Sequence, residues 1–350
     1  MAARALAGLA AVLVSLTSAA HATAQETAPL RVCATTPDLG ALVREIGGDD
    51  VAVTTFVKPT EDPHFAEARP SFVKQLSEAD LLVQIGLDLE IAWLPALLRQ
   101  ARNPRVEPGA AGYLDASTAI GQPLGIPTTP VDRSQGDVHA RGNPHYLLDP
   151  LRGLAVARAI AAKLSELRPD AAARFERRLA TFQDELFRRL VGPALAARYG
   201  DDVPKLVRLY EARKLASFLD DQGQRAELGG WLGRMLPLQG TKLVEDHAVW
   251  TYFTRFFGLE VVADLEPLPG VPPTTKSLER VIELMRAQDV RIVLASTYYD
   301  PRYANLVGSK TGARVLRMAT QVGAVPEAPT YLDMIGYNVE QIASAGAETR

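Results

Sequence analysis

Apolar positions along the chain alternate between two rhythms. Short apolar runs at 30–34, 51–57 and 81–85 read as strands, and stretches of helical period at 36–48, 70–78 and 91–100 stand between and after them. Thr36 suits a helix cap, Pro37 the first helical position, and Gly47-Gly48 a helix end. Residues 116–144, rich in Gly, Pro, Ser, Thr and Asp, break the rhythm and predict a long exposed loop. Asp149-Pro150 then opens a helix to about 167, and 169–190 predicts a long helix of about five turns.

The second half repeats the plan. Strands at 241–245, 260–265, 291–295 and 314–318 alternate with helices at 249–257, 278–286, 303–311 and 331–343, interrupted by a proline-rich loop at 266–273. The pattern predicts the α/β class: two lobes, at 28–167 and 200–350, each with a mainly parallel sheet flanked by helices, joined by one long connecting helix at 168–193. Ligands of such sheets bind beyond the carboxyl ends of the strands, and the interface between lobes is a preferred site. Trp250, Tyr252, Phe253, Phe256 and Phe257 form an aromatic stripe at helical spacing, which predicts core.

The start of the chain sets the expected compartment. Arg4 is the only charge before an apolar run from 5 to 16, and small residues follow up to Ala24. This reads as a secretory signal peptide over residues 1–24, cut after Ala22 or Ala24, with the mature protein in the periplasm. No later stretch approaches the roughly 20 uncharged residues of a membrane helix, so no membrane insertion is expected. Cys33 is the single cysteine and lies in an apolar run, so it is expected to pack as a small buried hydrophobe. A formal net charge of -3 provides no basic face for nucleic acid.

Five histidines occur, and His21 falls within the signal segment. His64, His145 and His247 each fall at a strand end or a loop facing the expected cleft, two in the first half and one in the second. Imidazole is the usual neutral nitrogen ligand of zinc, and three leave one tetrahedral position for a carboxylate or water. Spacing this wide forms a site only if the lobes come together. Asp149 reads as a cap for the helix that follows it, and Asp246, on the opposite side of the strand from His247, is not expected to be a ligand.

Four stretches carry a family resemblance: Thr60-Glu61-Asp62-Pro63-His64 with Arg69-Pro70-Ser71, Ala79-Asp80-Leu81-Leu82-Val83 with Gly86-Leu87-Asp88-Leu89-Glu90, Asn143-Pro144-His145-Tyr146-Leu147-Leu148-Asp149-Pro150, and Asp246-His247 through Tyr252-Phe253. With these the chain resembles the zinc and manganese solute-binding subunits of ABC importers over nearly its whole length past the signal. The resemblance implies a non-enzymatic monomer that captures Zn2+, or less readily Mn2+, and delivers it to an ABC transporter permease with its ATPase. It carries His64, His145 and His247 over as metal ligands, and His247 in place of a glutamate favours zinc.

Two departures accompany the resemblance. Where many relatives place a fourth, aspartate ligand, this chain reads Ala319-Thr320-Gln321. Asp300 becomes the first choice of fourth donor, with Glu266, His139 or water as alternatives. The loop 116–144, histidine-rich in many zinc relatives, has only His139, which is expected to lie in a solvated segment. Two rival readings are a zinc hydrolase, which lacks an H-E-x-x-H motif and a placed general base here, and a surface adhesin.

Overall fold

The computed structural model describes residues 28–128, 139–266 and 272–348; the expected signal segment lies outside them. The first half builds β1 (Leu30–Ala34), α1 (Pro37–Gly47), β2 (Val51–Thr55), α2 (Pro70–Glu78), β3 (Leu81–Gln84), α3 (Leu94–Ala101) and β4 (Tyr113–Asp115). After α4 (Pro150–Leu167) and α5 (Ala172–Val191) come four short helices, α6 (Pro193–Tyr199), α7 (Val203–Glu211), α8 (Leu215–Asp221) and α9 (Gly230–Met235). The second half builds β5 (Lys242–Glu245), α10 (Thr251–Phe257), β6 (Glu260–Asp264), α11 (Thr275–Ala287), β7 (Ile292–Ser296), α12 (Arg302–Thr311), β8 (Arg314–Met318) and α13 (Tyr331–Glu348).

Each half holds a four-stranded sheet with every pairing parallel, in the orders β2-β1-β3-β4 and β6-β5-β7-β8. In both, the chain steps to one side of its first strand and then to the other. Each sheet therefore has a switch point, between β1 and β3 and between β5 and β7, where a crevice opens beyond the strand ends.

Alternation along β1 explains the layering. Val32 and Ala34 join the large central core, while Cys33 packs on the other face with Phe56, Phe72, Leu76 and Trp93. Cys33 is buried as expected. In the second sheet Leu243, Ile292 and Leu294 face the central core, and Val244, Val293 and Ala295 pack against Leu278, Met285 and Val307. One continuous core thus runs from α1 through α4 and α5 into the second half.

The 20-residue helix α5 is about 30 Å long. It buries Phe175, Phe182, Leu186, Phe187 and Leu190 along one stripe and ends at Gly192, whose φ of 86° few side chains tolerate. Asp50, before β2, receives Arg174 at 2.6 Å and Arg178 at 3.3 Å from its first half, and Arg189 near its end reaches Asp333 of α13 at 2.8 Å. The helix is therefore fastened to both halves.

The lobes also touch directly. Val322 N–H donates to the buried Asp38 at 2.7 Å, Leu124 N–H donates to Tyr252 Oη at 2.9 Å, and Tyr252 donates in turn to Asn143 O at 3.0 Å. Burial pushes the Asp38 carboxyl up to about 7 against the pull of that backbone donor.

Local outcomes differ from expectation where elements are short. β4 and the four helices α6 to α9 were not anticipated, and α3 starts at Leu94 rather than 91. The segment 116–144 is not wholly exposed: Ala116 and Ile120 are core residues of a short 3-10 turn and its end. The aromatic stripe is core, with Trp250, Tyr252, Phe253 and Phe257 fully buried.

Gly153 on α4 packs closely against Tyr331 at the start of α13. A Cβ there would lie 1.9 Å from the Tyr331 hydroxyl, which donates to Leu147 O at 2.7 Å just after His145. Gly153→Ala is expected to cost about 1–3 kcal/mol of overpacking strain, read as a lower urea midpoint with an unchanged slope.

Candidate metal centre

His64 sits in a short 3-10 turn, Pro63–Phe65, beyond β2. Asp62 builds it: its Oδ1 accepts the His64 backbone N–H at 3.0 Å and lies 2.6 Å from the ring Nδ1. Trp93 Nε1 donates to Pro63 O at 3.0 Å and fixes the turn to the core. The ring is 3% exposed.

His145 precedes the 3-10 turn Tyr146–Leu148, and its backbone N–H donates to Asn143 Oδ1 at 2.9 Å. Tyr146 Oη donates to Ile85 O at 2.7 Å, beyond β3, which holds that turn over the first sheet's switch point. Asp149 closes the turn as the cap of α4, accepting from Leu151 and Arg152 N–H.

His247 lies two residues beyond β5, at the switch point of the second sheet. Its backbone N–H donates to Asp246 Oδ1 at 2.9 Å, and Asp246 also accepts from Ser296 N–H at 2.5 Å and Ser296 Oγ at 3.0 Å. Asp246 is thus held by its own strand end and by the end of β7. The His247 Nδ1 lies 3.3 Å from Glu266 O.

His139 is where expectation fails most. Instead of a solvated position it occupies the cluster itself, with Nε2 at 3.1 Å from His64 Nε2 and Nδ1 at 3.2 Å from Leu87 O. Leu87 presents that carbonyl from a rare left-handed run: Gly86, Leu87 and Asp88 have φ of 78°, 51° and 68°. The buried Glu90 carboxylate stabilises the run by accepting Ile85 N–H at 2.7 Å, Gly86 N–H at 3.1 Å and Thr35 Oγ1 at 2.7 Å. Burial raises this carboxyl to about 7.

The rings of His64, His139 and His145 lie close, with the His64 centroid 5.1 Å from His139 and 5.2 Å from His145. Burial pushes His145 well below the ordinary imidazole range, and His64, His139 and His247 press it further in the same direction. Burial lowers His247 too, opposed by the Glu266 carbonyl and helped by His64. Both lobes' histidines therefore feel one another, and the neutral form is favoured. Three of the four have Nδ1 against an oxygen, and the Nε2 atoms of His64 and His139 face each other at 3.1 Å. Tetrahedral zinc with bonds of about 2.0–2.1 Å sets ligand nitrogens about 3.3 Å apart, close to the His64–His139 separation.

Among the described residues, no three His, Cys, Asp or Glu side chains already stand in a formed metal site.

Asp300 is used differently. Its carboxylate accepts Arg302 N–H at 3.0 Å and pairs with the Arg302 guanidinium at 3.1 Å, and its side chain is 58% exposed at the start of α12. Glu266 contributes its carbonyl to His247, and burial raises its carboxyl. Sequence reasoning missed Asp62 as the residue that orients His64, although an aspartate two residues ahead of the ring is a recognisable Asx-turn signal.

The chain matches the family described as "Zinc-uptake complex component A periplasmic" over residues 32–188 and 227–345. Among curated relatives it is 23% identical to the manganese ABC transporter substrate-binding lipoprotein PsaA of Streptococcus pneumoniae, over 90% of this chain and 88% of that protein. It is also 23% identical to the high-affinity zinc uptake system protein ZnuA of Paracoccus denitrificans, over 87% and 88%. Among solved structures, a zinc-bound deletion mutant of ZnuA superposes with a TM-score of 0.65 at 24% identity, covering 91% of this chain and 98% of that one. The match spans well over half of the chain on both sides of α5, and the protein belongs to the ZnuA family of periplasmic zinc-uptake components.

Proposed function

We propose that this protein captures zinc outside the cytoplasm and delivers it to the permease of an ABC importer, with residues 1–24 as the export signal. The observation that carries the reading is the clustering of His64, His139 and His145 from the first half, with His247 of the second half close enough to lower His145 electrostatically. His64, His145 and His247 hold the ion through Nε2, and His139 is the candidate fourth donor because its Nε2 already lies at nearly a tetrahedral edge from His64. Asp62 behind His64 raises that ring's basicity and fixes its orientation.

Relatives named for zinc and for manganese are equally similar, so identity does not separate the two metals. Donor chemistry favours zinc: the converging side chains are nitrogen donors, and manganese prefers harder oxygen. A hydrolase would need a carboxylate free to act as base, and the nearby Asp62 and Asp246 are held by His64 and by backbone donors.

His64→Ala, His145→Ala and His247→Ala are each expected to lower zinc affinity by more than the roughly 10–100-fold typical of an outer partner. Asp300→Ala is expected to leave it unchanged. Competition titration with a zinc-selective chelator reads both, and full zinc retention by the three histidine variants would sink the proposal.

The depressed histidines set the pH profile. Their neutral forms persist to below the ordinary value of 6.5, so protons displace zinc only under acidic conditions. Affinity is expected to be nearly flat from about pH 8 to 7 and to fall steeply further down, which calorimetry across that range checks. A decline that begins near pH 8 would contradict the buried, neutral setting of these rings.

A further inference from the structure

The hydrogen bonding around the four imidazoles is uneven. His64 has Asp62 behind Nδ1, His139 has Leu87 O and His247 has Glu266 O. Among the described residues neither ring nitrogen of His145 makes a hydrogen bond; only its backbone does.

A second unpaired group lies close by. Gln321 follows β8 and is 3% exposed. Its Nε2 donates to Glu61 O at 2.7 Å and lies 3.5 Å from Pro59 O. Two carbonyls require the amide nitrogen on that side, so the orientation of the amide is settled by chemistry and Oε1 points the other way. Oε1 has no hydrogen-bond partner among the described residues. A buried acceptor of this kind in a folded protein calls for a partner.

Both residues line one small cavity of about 30 Å³, together with Thr36, Asp38, Tyr298 and Thr320. On that measure a water needs about 10–15 Å³ and two to four polar partners. The space suits one or two waters and no larger solute.

We propose that Gln321 is a positioning residue for His145: one buried water accepts the His145 Nδ1–H and donates to Gln321 Oε1. All four rings then have an oxygen behind Nδ1, and His145 is locked in the tautomer that presents Nε2. The loop after β8 thereby acts on a ligand of the other lobe without touching the ion. The proposal rests on the metal reading of His145.

The test uses 15N-labelled, metal-free protein and long-range 1H–15N correlation of the histidine rings, in the wild type, Gln321→Leu and Gln321→Glu. The wild type is expected to show His145 as the Nδ1–H tautomer. Gln321→Leu should shift it toward Nε2–H and weaken zinc binding about 10–100-fold, and Gln321→Glu, which keeps an oxygen acceptor, should restore the tautomer and most of the affinity. A wild-type His145 protonated on Nε2 overturns the proposal, even if the leucine variant does not fold. So does a folded leucine variant with unchanged tautomer and unchanged affinity, while wild-type zinc binding that survives loss of the histidines sinks the metal reading instead.

Discussion

The fixed separation of the two sheets is the constraint on which the centre depends. His64 and His145 belong to one sheet and His247 to the other, and no local sequence motif could bring them within reach. One continuous apolar core, the helix α5 tied by Asp50 at one end and Asp333 at the other, and the Asp38 contact to Val322 hold that distance. Burying this much apolar surface between lobes leaves little freedom for hinge closure. The cleft is therefore set by folding rather than by the ligand, and the small adjustments that admit an ion fall on the side chains.

Around that cleft the protein manages charge in a consistent way. Asp38, Glu90 and Asp246 are buried carboxyls raised to about 7 by desolvation, and each accepts backbone N–H groups: Asp38 from Val322, Glu90 from Ile85 and Gly86, and Asp246 from His247 and Ser296. They serve as scaffolding: a carboxylate accepts several donors at a strand end, where backbone groups would otherwise be orphaned. Burial and the neighbouring imidazoles meanwhile lower His145, and burial lowers His247, so both are favoured in the neutral form. The buried carboxyls and the imidazoles are thus kept in separate roles.

Much of this was legible in the sequence, for a physical reason. Strands such as 30–34 and helices such as α1 bury one face, so their period is written in apolar positions, and Thr36-Pro37 and Gly47-Gly48 mark the ends. The three widely spaced histidines stood out because the strand pattern puts each at a strand end or in a loop facing the expected cleft. The four helices between 193 and 235 have six to nine residues each, too few turns for a period to emerge. His139 was beyond local reasoning, since its place depends on the carbonyl of Leu87 more than fifty residues earlier in the chain, offered by a backbone run that neither Leu nor Asp advertises. Asp300, the first choice of fourth donor, is engaged locally: its carboxylate accepts Arg302 N–H and pairs with the Arg302 guanidinium, contacts that its place before Pro301 does not reveal.

The uncharged Gln321 beside the small cavity fits the same logic. Neutral imidazoles leave the charge of a divalent ion uncompensated in its own shell, and the compensating anion, Asp62, sits one ring away from the coordinating nitrogen. Placing the anion behind the ring strengthens a nitrogen donor without offering the ion an oxygen. A hard ion that gains most from direct carboxylate contact profits little from that arrangement, whereas zinc, content with nitrogen, profits fully. An aspartate at 321 would put charge back in contact with the cleft and blur the distinction. A glutamine there keeps a polar group at the cavity while withholding the charge.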